Sequence, residues 1–337
     1  MCNFYFKDVN SMRRDFYSML QKARLLGKLK EFSYLKQKAG ISISYFDLSD
    51  SQHIIHIPEG ITNFRNHGNV GMFTTDEGES DFDDYLLNVQ GELHVLGGGD
   101  LTNIDNLFFK CSADIIDLVD FNTKNVVSMN GLFINSSAQE IILSNFNTSK
   151  VEQMQFMFFG VELDHLDLSN FDTTSVKNMT SMFESATINE IDLSSFNTEN
   201  VTEMEQMFKD CITNKLNISS FNTSKVTTMD KMFYRSKIPD IDLSNFDVRE
   251  VKKAFEMFAG CKADTINLCG SDFADLSDAR LMFMSCVVDT LNLSNCTLNP
   301  KADVLQFADG LKAQDIIVDN ARLNKIMTLT RMGVKLC

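Results

Sequence analysis

The chain has 337 residues, 44% of them hydrophobic, enough to bury an extensive core, and its 46 acids against 31 Lys and Arg leave a formal charge of −15. With only 3 Pro and 16 Gly, no low-complexity linker divides it, and its longest apolar runs fall short of the roughly 18 residues a membrane helix needs. So acidic a balance argues against direct nucleic-acid binding and for a basic partner.

The first 40 residues are the exception, with nine Lys or Arg and three acids, a net of +6, so that residues 41–337 carry −21. Phe16, Met19, Leu20, Ala23 and Leu26 recur at helical spacing, which predicts a basic helical N-terminal cap over 1–40. Its Arg13, Arg14, Lys22 and Arg24 are a candidate secondary contact. No apolar run follows a basic start in MCNFYFKDVNSMRRDF, and no hydrophobic segment precedes Cys2. A cytoplasmic location is therefore expected, with surface display or secretion as the alternative. Residues 41–90 read as irregular, strand-rich lead-in units, with strands over 45–61 and an acidic loop over 69–84. His53, His56 and His67 lie here. A metal-dependent enzyme built on them is the least favoured reading, because residues three apart on an alternating strand face opposite sides.

From residue 91 the chain becomes periodic. An aliphatic residue followed by Phe recurs every 25 residues, at Leu107-Phe108, Leu132-Phe133, Met157-Phe158, Met182-Phe183, Met207-Phe208, Met232-Phe233, Met257-Phe258 and Met282-Phe283. Such a period means a solenoid, in which each unit buries its apolar face only against its neighbours. In the unit LDLSNFDTTSVKNMTSMFESA, Leu166 to Ala186, Leu166 and Leu168 alternate with Asp167 and Ser169, the pattern of a half-buried strand. Phe171 turns inward, Asp172 and Thr173 are candidate helix caps, and Val176, Met179, Met182 and Phe183 follow at helical spacing. The predicted unit is a strand, a turn, and a short helix or helical turn. Four of the eight cysteines, Cys111, Cys211, Cys261 and Cys286, share one small, buried column, which predicts reduced thiols.

The string LDLSNFDT-x-x-V-x-x-M-x-x-MF resembles the BspA-type leucine-rich repeat, the short repeat of many bacterial surface proteins, over about residues 91–300. The resemblance implies an α/β solenoid with parallel strands on a concave side, short helices or turns on the convex side, and binding rather than catalysis. No cofactor or metal is expected. The array should span 91–300 and be closed by a helical C-terminal cap over 301–337, with two helices around a strand at 315–318. Helical caps are thus expected at both ends.

The candidate site follows from strand alternation. The outward column between the core aliphatics includes Asp117, Asp167, Asp192, Asn217 and Asp242, and the column two residues earlier includes Glu140, His165, Glu190 and Asp240. At a strand spacing of about 4.8 Å these would form an acidic face. No nucleophile, base and orienting group converge, so a non-catalytic protein-binding solenoid is expected. Its finer form is an intracellular inhibitor of a nucleic-acid-binding protein, of the viral anti-defence type; the alternative is a surface or secreted adhesin.

Overall fold

The computed structural model describes residues 92–331 and, before them, five strand segments: β1 (Ser42–Tyr45), β2 (Gln52–Ile57), β3 (Asn63–His67), β4 (Val70–Thr75) and β5 (Gly78–Phe82). The predicted N-terminal helix, with Arg13, Arg14, Lys22 and Arg24, lies outside these residues. β1 pairs antiparallel with β2. Strands β3, β4 and β5 form an antiparallel sheet, so two strands replace the acidic loop expected over 69–84.

The array proper is a parallel-strand solenoid of nine coils among the described residues. Its strands, in chain order, are β6 (Glu92–Gly97), β7 (Ile115–Asp117), β8 (Glu140–Ile142), β9 (Glu162–Leu163), β10 (His165–Leu166), β11 (Thr187–Ile188), β12 (Glu190–Asp192) and β13 (Lys215–Asn217). They continue with β14 (Asp240–Asp242), β15 (Lys262–Asn267), β16 (Asp272–Phe273), β17 (Val287–Asn292), β18 (Thr297–Leu298) and β19 (Lys312–Ile317). β2 joins β6 in parallel, and every pairing from there on keeps the parallel sense, mostly in a 25-residue register such as Leu166 opposite Ile141. A second line of parallel bridges runs through residues such as Asn103, Ser128, Gln153 and Asn178. Strand-type pairing thus holds more than one side of each coil.

Of the two forms expected for the segment from Val176 to Phe183, a short helix or a turn, the structure has the turn. Thr180 to Ser185 form a turn, closed by bonds from Met182 N to Met179 O and from Glu184 N to Ser181 O, each to the third residue back. Ser181 and Ser185 have positive φ, at 55° and 59°, which a right-handed helix cannot contain. The amide of Phe183 instead donates forward to Met207 O of the next coil at 2.9 Å. Buried side chains three residues apart mark a chain turning sharply about the core, and that spacing mimics a helical stripe. The only α-helix among the described residues is α1 (Ala321–Arg331).

Two aromatic columns fill the interior. Rings from Phe108 through Phe283 stack coil on coil, with neighbouring centroids 5.2–5.8 Å apart. A second column includes Phe146, Phe171 and Phe196, 6.3 Å apart and nearly parallel. It begins at Phe121, which packs on Gly98, where an added Cβ would meet the ring at 2.5 Å. Beside these columns runs a line of buried threonines. Thr173 Oγ1 donates to Asn197 O at 2.9 Å and accepts from Asn197 N at 2.8 Å. Thr123, Thr148 and Thr198 do the same to Asn147, Asp172 and Asn222. Thr173 therefore staples adjacent coils and caps no helix.

Residues 301–317, expected to start the C-terminal cap with a helix, form one more coil and its strand β19. Helix α1 then covers the end of the stack with Leu323, Ile326 and Met327. Asn320 Oδ1 caps its first turn, and Arg322 donates to the carbonyls of Leu298 and Pro300, so this arginine is engaged in closing the last coil.

The cysteine column is buried throughout its described members, Cys111, Cys211, Cys261 and Cys286, all free thiols. Burial pushes the Cys111 and Cys211 thiols from 9.0 up to about 12. Between those values the folded chain keeps protons that the unfolded chain releases, so this contribution to stability is full below pH 9 and declines as pH rises toward 12. A thiol titration at pH 8 should find both residues unreactive until the chain is unfolded; modification of either under native conditions would contradict their placement.

Candidate partner-binding face

The face in question is the side of the strands that points away from the aromatic core. In β12, Ile191 is buried while Glu190 and Asp192 are exposed, and β14 repeats this with Ile241 between Asp240 and Asp242. Parallel register aligns His165 with Glu140, Glu190 with Lys215 and Asp192 with Asn217. Asp117, Glu140, Asp167, His165, Asp192, Glu190, Asp242, Asp240 and Asn217 all lie in these two outward columns.

The inner of the two columns has a local structural task. Asp167 Oδ1 accepts the N–H of Ser169 at 2.9 Å, Asp192 Oδ1 that of Ser194 at 2.9 Å, and Asp242 Oδ1 that of Ser244 at 3.0 Å. Asp117 and Asn217 do the same with Val119 and Ser219. Each side chain closes the bend at the end of its strand, which either an Asp or an Asn oxygen can do. That explains why the column accepts both Asp and Asn, with Ile142 as an exception. The same bond, from the Ser169 and Ser194 amides and then their hydroxyls, holds the Asp167 and Asp192 carboxyls below the ordinary carboxylate range. Both are thus ionised at neutral pH.

The acidity is graded along the face. Lys215 forms an ion pair with Glu190, and His94 Nδ1 lies 2.8 Å from Asp117 Oδ2. Toward the C-terminal end amides replace acids, with Asn267 Nδ2 donating to Asp242 Oδ1 and Asn292 Nδ2 to Asn267 Oδ1. The whole array shares this gradient. Residues 92–211 contain nineteen acids and five Lys or Arg, a net of −14, whereas residues 212–331 contain fifteen of each. The total charge conceals this polarity, which lies in how the acids and bases are divided between the two halves.

Beside this face, at the bend between the bridges Ser112–Ser137–Glu162–Thr187 and strands β7, β8 and β10, runs an open groove of about 870 Å³. Strand alternation alone does not reveal it. Its signal is the pair of successive small residues Ala113 and Ala138, in a column that holds Leu163 and Ile188 in the following two coils.

His53 and His56 fall on β2 and His67 on β3, where backbone pairing places them as strand residues. Among the described residues no group of three or more His, Cys, Asp or Glu is arranged to hold a metal ion.

The family described as "Mycoplasma protein of unknown function, DUF285" matches residues 102–215 and 187–295, two overlapping segments within the array. No curated protein and no solved structure matches the chain.

Proposed function

The chain belongs to the DUF285 family of Mycoplasma proteins of unknown function, and from that premise we propose that it is a non-catalytic binding scaffold whose strand face captures a protein partner with a basic surface. The observation carrying this reading is the column of exposed carboxylates at Asp167, Asp192 and Asp242, flanked by Glu140 and Asp240. A rigid file of like charges attracts a cationic surface from a distance and speeds association, the more so on the array half with a net of −14. In its finer form the partner is a protein whose basic surface holds DNA or RNA, and binding here occludes that surface inside the cell.

The bend-closing bonds make a clean test possible. In D167N/D192N/D242N the three charges go while the oxygen acceptors stay, as Asn217, Asn267 and Asn292 already do in that column. Source-cell lysate is passed over wild-type and variant protein at low and high salt. The expected result is a basic protein retained by the wild type, released by salt, competed by added nucleic acid and lost from the variant. Equal retention by the variant would sink the strand-face reading. A partner recovered only from the cell exterior would move the assignment to an adhesin.

A further inference from the structure

We infer that the groove along Ala113, Ala138 and Leu163 is a docking site for an extended peptide segment in which Lys or Arg residues flank an aliphatic side chain. This deepens the scaffold reading and rests on it. The floor is apolar, made by Ala113 and Leu163, which are buried, and Ala138, which is partly buried. Ser112, Ser137, Glu162 and Thr187 form one wall, and Asp114, Gln139 and Asp164 the other. Four coils at about 4.8 Å spacing give a length near 14 Å, the reach of about four extended residues.

Charge selects the occupant. No Lys, Arg or His of the described residues comes within ion-pair distance of Asp114, Glu162 or Asp164. Elsewhere acids do find cations, as when Lys177 bonds Glu152 and Lys209 bonds Glu184. The rim of this groove is therefore negative and uncompensated over an apolar floor. An aliphatic side chain fits the space above two alanines, and flanking cations reach both walls. An acidic or neutral strand would leave the three carboxylates facing like charge or losing water without a partner.

The column itself provides the decisive variant. Because Ile188 and Ile238 occupy the floor position in later coils, both buried, A113V/A138I fills the groove with side chains the stack already accepts and changes no charge. The probe is a fluorescent eight-residue peptide alternating lysine and leucine, with an all-lysine peptide of equal length beside it, measured by anisotropy at several salt concentrations. The expected result is tighter binding of the lysine–leucine peptide and a loss of about tenfold in A113V/A138I. D114N/E162Q/D164N should weaken binding and flatten its salt dependence. Equal affinity for the two peptides, unchanged affinity in the filled variant, or no binding of the lysine–leucine peptide at low salt would each overturn the groove. If the peptide instead loses affinity only in D167N/D192N/D242N, the groove falls and the strand-face reading stands.

Discussion

Phe183→Ala should cost about 3–5 kcal/mol and loosen more than one coil. The ring is fully buried, with neighbours at 5.4 Å on the Phe158 side and 5.8 Å on the Phe208 side. Its loss opens a cavity between two coils, each of which depends on the other for burial. The nearby backbone bond from Phe183 N to Met207 O keeps its donor and acceptor, so the effect isolates packing. Denaturant unfolding should register the cost. Native-state hydrogen exchange should show the amides of Phe158, Phe183 and Phe208 losing protection together; a change confined to residue 183 would refute the coupling of neighbouring coils.

Thr173→Val ranks next, at about 2–4 kcal/mol, because one hydroxyl serves two backbone groups that a methyl leaves without a partner. Those groups are the amide and carbonyl of Asn197, bonded at 2.8 and 2.9 Å in a corner where Thr173 is almost wholly buried. The shape itself is acceptable, since Val248 fills the same column three coils later. Thr173→Ser keeps the hydroxyl and should recover most of the loss. If Val and Ser variants unfold at the same urea concentration, packing rather than the staple accounts for the threonine.

These two columns also show what a sequence of this kind reveals. The period, the buried Phe and Met positions, the outward strand columns and the burial of the cysteine column all follow from alternation and repetition, and the structure has each of them. The choice between helix and turn stayed open, because Val176, Met179, Met182 and Phe183 are spaced as a helix would space them. Only backbone conformation, with positive φ at Ser181 and Ser185, separates the two. The last coil was hidden for a different reason. Phe307 takes the column that carries Met in most earlier coils, and Ala308 the one that carries Phe. The aliphatic–Phe signature ends there although the 25-residue register, marked by the bridge from Asp278 to Asp303, continues.

The candidate site was legible in position but not in cause. Alternation puts Asp167, Asp192 and Asp242 outward, yet their bonds to Ser169, Ser194 and Ser244 depend on a bend that alternation does not describe. The groove escaped because it is an absence of side chain. A small residue in a core column reads as permissible variation until two of them fall in register, as Ala113 and Ala138 do.

Phe183 N to Met207 O and Thr173 Oγ1 to Asn197 O share a direction, since both run from one coil to the next along the axis. Tension applied between the first and last coils should load these contacts one coil at a time, like the teeth of a zip, rather than all at once. Each coil that peels away frees 25 residues, a contour of about 85 Å, while its neighbour keeps a complete interface on the other side. Stretched between its first and last described coils, such an array should lengthen in uniform steps and refold onto whatever coils remain.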